Sequence, residues 1–388
     1  MNQVYMQVIL RKKYETYKKI MKVPFVDLKL QYQKYKLELD EAMASVIKET
    51  AFIGGGANKF VSQFEHEFAE YLGQKHVVSC ANGTDSLEIL LEAFGIGRGD
   101  EVIVPALSWI STSEAVGRIG ATPVFIDIDA NTLLIDLNKI EDKITSKTKA
   151  IIPVHLYGNA VDMESIMLIA AKNNLVVIED CAQSHGAKFN GKLTGTFGHA
   201  SSFSFYPGKN LGAYGDAGAI STNIDEIAIK FRMIANHGQI KKHDHVIEGR
   251  NSRLDGLHAA VLSVKLKYLN IWNESRANLA CLYTKRLKNK IQTPIINKNA
   301  NHVFHLYVIR TDKRDALKTF LEEKNIETAI HYPNPLPLLK AYAKYNFSES
   351  DFPVAYNESK RILSLPIYPE LTEEQINFII NAVNDFVG

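Results

Sequence analysis

Between Val77 and Ser221 short, nearly continuous apolar runs alternate with stretches of helical periodicity, and that alternation limits the possible folds more than any other feature. HVVSC (76–80) is followed by Leu87, Leu90, Leu91 and Phe94 at the i, i+3, i+4, i+7 spacing of a helix. EVIVP (101–105), an Ala/Ile-bearing segment (110–120) and TPVFIDI (122–128) come next. KAIIPVHL (149–156), a helix near 162–173, LVVIED (175–180), SSFSF (201–205) and AGAIST (217–222) complete the series. Strands that are apolar on both faces belong in a sheet covered on both sides, and intervening helices make it mainly parallel. The fold class is therefore α/β.

The pattern changes near residue 270. FHLYVIR (304–310) reads as a strand and DALKTFLEEKN (315–325) as a helix. A last helix begins at Thr372, which forms a capping box with Gln375 and is followed by an apolar stripe of Ile376, Ile379, Ile380 and Val383. A chain of 388 residues exceeds one compact core. The expected division is an extension at 1–20, a large domain at 21–269 and a smaller C-terminal α+β domain at 270–388. Residues 1–20 are basic with a brief apolar stretch and no small-residue cleavage site, and read as an upstream-start extension or a loose arm.

Charge and cysteine usage exclude several classes. The formal charge is +2, so no nucleic-acid or membrane partner is expected, and no apolar run approaches the roughly 20 residues of a bilayer span. Cys80, Cys181 and Cys281 are far apart and form no CxxC pair, which argues against disulfides and zinc and fits the cytoplasm. All three read as buried or half-buried free thiols, and no metal is expected.

Ligands of such sheets sit beyond the carboxyl ends of the strands. Three polar clusters lie there. Asn82-Gly83-Thr84-Asp85 offers a close backbone approach and a helix N-terminus to a phosphate. The same residues read equally as an ordinary cap by Thr84 or Asp85. Glu179-Asp180-Cys181-Ala182-Gln183 ends the most hydrophobic strand, where a carboxylate needs a partner such as a protonated pyridine nitrogen. Asp180 could instead cap the next loop. SSFSFYPGKNLGAYGDAGA (201–219) sets Lys209 in a glycine-rich turn, with Gly208, Gly212, Gly215 and Gly218 allowing tight packing. A lysine held among apolar neighbours has a lowered pKa and can be a nucleophile, although most turn lysines are solvated. Trp109 is a candidate to stack on a cofactor ring or to fill a core, and Ser204 to donate to a phosphate or simply to alternate in its strand. Together the three clusters favour a pyridoxal-phosphate enzyme.

From about Val23 to the C-terminus the chain resembles the DegT/StrS-type nucleotide-sugar aminotransferases, which have the type I fold of pyridoxal-phosphate (PLP) transferases. The likeness rests on PFVDLKLQY (24–32), ANGTDSL (81–87), GRGDEVIVP (97–105), GATPVFIDID (120–129) and IIPVHLYGN (151–159). It continues through VVIEDCAQSHGA (176–187), SFSFYPGKNLGAYGDAGAI (202–220) and GRNSRLDGLHAA (249–260). The resemblance implies that Lys209 carries the cofactor as a Schiff base and shuttles protons. Asp180 would pair with the pyridine nitrogen, Gln183 would bond the ring hydroxyl, Gly83, Thr84 and Ser204 would hold the phosphate, and Trp109 would stack on the ring. Asn251 would reach the phosphate of a neighbouring subunit in a homodimer with shared active sites, and Arg253 would meet the sugar diphosphate. Both read otherwise as a polar surface loop.

His331-Tyr332-Pro333 resembles the subset that aminates carbon 3 of dTDP- or UDP-linked keto-sugars, in which His331, Tyr332 and Tyr206 would contact the nucleotide sugar. A plain turn before Pro333 is the alternative. The implied reaction is ping-pong: L-glutamate donates, 2-oxoglutarate leaves, and pyridoxamine phosphate then aminates the keto-sugar. Asn159 and Gly208 depart from the family pattern, the first with a possible effect on a sugar contact, the second expected to be tolerated. Amination at carbon 4, a sugar dehydratase, a non-catalytic regulatory protein and a nucleotide-binding Rossmann protein are the rivals. Lys209 counts against the dehydratase, which carries His there, and the lack of GxGxxG against the last.

Overall fold

The computed structural model describes residues 21–53 and 57–388. The reading of residues 1–20 as an extension lies outside the described residues.

Seven strands form the central sheet: β1 (His76–Cys80), β2 (Glu101–Pro105), β3 (Thr122–Ile126), β4 (Thr148–Ile151), β5 (Val176–Asp180), β6 (Ala200–Ser204) and β7 (Gly218–Thr222). Their order is β1-β7-β6-β5-β4-β2-β3. Pairings β6–β5, β5–β4, β4–β2 and β2–β3 are parallel, whereas β7 runs antiparallel to both β1 and β6. The reversed β7 begins at the edge where β1 and β6 end, so Gly218 pairs with both Cys80 and Ser204. Three segments therefore converge at one point of the carboxyl edge.

The run 149–156 is one strand only as far as Ile151. Pro153, which has no N–H to give, interrupts the ladder, and Leu156–Gly158 turns as a short 3-10 helix. Helices Gly83–Ala93, Ser111–Arg118 and Met163–Asn173 cover the sheet. The first of them is capped by Asn82, whose side chain accepts from Asp85 N–H at 2.8 Å. The sequence placed that cap on Thr84 or Asp85; with Asn82 in the role, Thr84 is free to face elsewhere.

One apolar cluster fills the sheet and its helices, from Val78 to Ile178, and it also takes in Leu306, Val308, Leu336, Tyr342 and Phe352 from the C-terminal third. A second gathers around β8 (Tyr307–Arg310), β9 (Ile362–Leu365) and the last helix, Glu373–Val387. There the Thr372–Gln375 capping box is present and Ile376, Ile379, Ile380 and Val383 are buried. Cys80 and Cys181 are buried free thiols, but Cys281 is exposed, on the outer face of helix Leu269–Arg286. Among the described residues no helix is long and apolar enough to cross a membrane.

Candidate active site

A cavity of about 740 Å³ opens at the carboxyl edge of the sheet. Gly83, Thr84, Trp109, Asp180, Gln183 and Ser204 line it, and so do Tyr206, Lys209, His331 and Tyr332. Residues from five separated stretches of sequence thus meet in one space.

At one end Gly83 opens helix Gly83–Ala93 beside the end of β6. A Cβ on Gly83 would lie 2.6 Å from Ser204 Cβ, so only glycine lets these backbones approach. Thr84 Oγ1 lies 2.7 Å from Ser111 Oγ, which fixes its hydroxyl at the mouth of the helix. Free N–H groups, two hydroxyls and the positive end of a helix dipole suit an anion.

Asp180 ends β5 and is 5% exposed. Its Oδ2 accepts from Thr112 Oγ1 at 2.9 Å and its Oδ1 from Ala182 N–H at 3.1 Å. Burial raises its pKa above the usual carboxylate value, while these two bonds and the charges of Lys209 and His155 pull the other way. The carboxylate is held in place by these bonds, and among the described residues no cationic side chain forms an ion pair with it.

Lys209 follows the tight turn in which its own N–H donates to Tyr206 O at 2.8 Å. Burial pushes its ammonium down to about 8, opposed by Asp180. The sequence placed this lysine among apolar neighbours. Its charge also acts on the buried imidazoles of His185, His305 and His331. His331 is pushed down to about 4 and His185 to about 3, each chiefly by burial. The low basicity of Lys209 thus arises chiefly from its burial.

Gln183 is aimed by two bonds: its Oε1 accepts from Tyr157 N–H at 2.6 Å, and its Nε2 donates to Tyr332 Oη at 3.0 Å. Tyr332 also packs on Trp109, with ring centroids 5.7 Å apart. Trp109 is 56% exposed, so it serves the cavity and not a core. His331 Nδ1 lies 2.8 Å from Ser364 Oγ on β9, and Tyr157 Oη donates to the His331 carbonyl. His331-Tyr332 is therefore a built wall of the cavity. Asn251 and Arg253 stand apart. Asn251 is exposed, and Arg253 donates to Asn236 Oδ1 at 3.3 Å beside a separate cavity of about 340 Å³.

Residues 34–384 match the model of the DegT/DnrJ/EryC1/StrS aminotransferase family. The chain belongs to that family. A relative from Aneurinibacillus thermoaerophilus named dTDP-3-amino-3,6-dideoxy-alpha-D-galactopyranose transaminase is 46% identical, over 94% of this chain and 99% of its own. A Geobacillus stearothermophilus relative named a pleiotropic regulatory protein is 45% identical over the same shares. The crystal structure of S. venezuelae DesV in complex with a ketimine intermediate superposes with a TM-score of 0.91 at 40% identity, covering 94% of this chain and 98% of that one. This DegT-family chain is accordingly a PLP-dependent aminotransferase with an α/β fold.

Several residues of this aminotransferase's site escaped the sequence. Thr112 and Ser111 sit at the start of helix Ser111–Arg118, a few residues beyond Trp109, and hold Asp180 and Thr84. Their position after the end of β2 was the available signal. Tyr157, whose N–H holds Gln183, carries no local mark of that role, because the fold brings positions 157 and 183 together. Asn159 does not touch the cavity. It is buried, with Nδ2 donating to Ile295 O and Oδ1 accepting from Asn297 N–H, both at 3.1 Å. In this structure its side chain ties down the 295–297 loop.

Proposed function

We propose that this aminotransferase moves the amino group of L-glutamate to carbon 3 of a dTDP- or UDP-linked keto-deoxy sugar, for surface glycan synthesis in the cytoplasm. The observation that carries the reading is the convergence of Lys209 and Asp180 on one cavity walled by His331-Tyr332. The name of the Aneurinibacillus relative supports carbon 3.

The residues present fit PLP. The Gly83 cradle admits a phosphate where any larger residue would collide with Ser204. Asp180 is a buried carboxylate at the end of β5 that faces the cavity, where a pyridinium would find its anion. When bound, the cofactor supplies an electron sink for the charge left at carbon as a proton departs. In this reading Gly83, Thr84 and Ser204 hold the phosphate, Gln183 the ring hydroxyl, and Trp109 covers the ring. Lys209 would be the covalent tether, and its amine would serve as the base and acid for the donor's α-proton. A lysine near 8 releases and recovers a proton close to neutral pH, which one at its ordinary 10.5 does poorly. Tyr206, His331 and Tyr332 face the sugar. Asn251 and Arg253, away from their own cavity, serve the site of a second subunit, so the working unit is a homodimer.

Lys209→Ala is expected to abolish turnover and the visible band of the cofactor–lysine bond. Wild-type enzyme given glutamate and a panel of 3-keto and 4-keto nucleotide sugars is expected to release 2-oxoglutarate and to gain product mass only with the 3-keto members. A product from 4-keto sugars alone overturns the carbon-3 assignment. No product from any member, with ligand retained, favours the regulatory reading suggested by the Geobacillus relative's name.

A further inference from the structure

Helix Gly256–Leu266 carries a buried lysine that the reaction above leaves unused. Lys265 is 2% exposed, and its Nζ donates to Gly212 O at 2.7 Å. The same ammonium lies 4.4 Å from the centroid of the Tyr214 ring. The one carboxylate acting on it is Glu370, and burial outweighs that charge, pushing the amine down to about 8. Burying an ammonium is costly, so a structure keeps one where the donor is needed.

The carbonyl it meets belongs to the loop that holds Lys209. Lys209 N–H donates to Tyr206 O at 2.8 Å and Ala213 N–H to Phe205 O at 2.7 Å, so residues 205–213 close on themselves. Gly212 lies directly on the Pro207 carbonyl, where a Cβ would collide. Among the described residues no backbone N–H donates to Gly212 O. Lys265, on helix Gly256–Leu266, is its donor.

We infer that Lys265 is a positioning residue: its buried ammonium, bonded to Gly212 O and seated on Tyr214, fixes the loop that aims Lys209 into the cavity. A charged donor makes a stronger bond to a carbonyl than a neutral one, which a glycine-rich loop without strand pairing requires. The inference rests on the reading of Lys209 as the cofactor lysine for its catalytic consequence, but not for the loop's dependence on Lys265.

The experiment compares wild type, Lys265→Met, Lys265→Arg and, as a control two residues further on, Lys267→Met, whose side chain is 61% exposed. Amide exchange of peptides spanning 206–216 is read by mass spectrometry on the full chain, with and without PLP. Lys265→Met is expected to speed exchange there by about tenfold or more, the loss of one buried hydrogen bond, with exchange elsewhere unchanged. In the loaded enzyme kcat is expected to fall by about tenfold with KM for both substrates within about threefold, because aim is lost and binding is not. Lys265→Arg, which keeps a charged donor, recovers part of both effects, and Lys267→Met shows neither. If Lys265→Met does not fold, Tyr214→Leu removes only the ring and is expected to move both readouts the same way by less. Unchanged exchange in 206–216, or a KM rise with kcat intact, overturns the inference. A wild type that takes up no PLP sinks the functional reading alone, since exchange without PLP still tests the loop.

Discussion

Asp180 and Glu179 are adjacent on one strand and do unrelated work. Side chains alternate across a sheet, so one faces the cavity and the other the opposite side. Glu179 is fully buried there and accepts from the N–H groups of Gly195 and Phe197 at 2.7 Å and Gly198 at 2.8 Å, with His155 at 3.0 Å. With Cys181 these residues gather three potential metal donors. The oxygens of Glu179 are already occupied, and burial raises the Cys181 thiol, so the trio acts as a brace. The sequence pointed to Asp180 through its place at a strand end, but a bonding pattern spread over residues 155–198 was not legible in it. The pH behaviour of Lys209 follows from its surroundings. Between its folded value of about 8 and the ordinary 10.5 the unfolded chain binds more protons, so this group's contribution to stability rises with pH across that window. The free amine likewise appears as pH passes about 8. Cofactor-free protein is expected to recapture PLP, followed by absorbance, at a rate with its midpoint near 8. Asp180→Asn removes the anion that keeps the proton on, so its midpoint is expected to fall. A midpoint near 10.5, or an upward move in the variant, contradicts this account.

At the scale of elements, the strands were legible because each is an apolar run bounded by polar turns. The direction of β7 was not: AGAIST has the same apolar character whichever way it runs. Its reversal matters, since it brings Gly218 between Asn82 and Ser204 at the carboxyl edge. A Cβ on Gly218 would overlap the Asn82 backbone, whereas one on Gly208 would meet only the Tyr206 ring, at 3.9 Å. Gly218→Ala is therefore expected to cost about 1–3 kcal/mol, as overpacking does, and to weaken PLP affinity by displacing the Gly83 cradle. Gly208→Ser is expected to change stability by less than about 0.5 kcal/mol. Denaturant titration of both variants checks the contrast, and equal losses would mean that the strand start has room to relax.

Over the whole molecule, the C-terminal third does more than form a second core. After His331-Tyr332 the chain crosses back to the central sheet. Leu336 N–H donates to Ala106 O at 2.7 Å, Tyr342 Oη donates to Ser113 Oγ at 2.7 Å, and Ala355 N–H donates to Asp127 Oδ1 at 2.8 Å. Phe352 packs edge-on to Phe125 of β3 at 6.3 Å and to Phe347 at 5.3 Å. Apart from the Phe347–Phe352 pair these contacts join residues far apart in sequence, which is why the boundary expected near residue 270 gave no sign of this return. We propose that the boundary separates two cores that unfold together, because the return segment belongs to the first. Phe352→Ala removes a buried ring from the join and is expected to cost about 3–5 kcal/mol. Calorimetry should show one transition in both proteins, at a lower temperature in the variant. On the proposed assignment of His331-Tyr332 to the sugar, the same loss is expected to raise KM for the nucleotide sugar several-fold and to leave KM for glutamate unchanged. Two separate transitions would mean that the C-terminal third folds alone. A rise in the glutamate KM without one for the sugar would remove His331-Tyr332 from the sugar's side of the cavity.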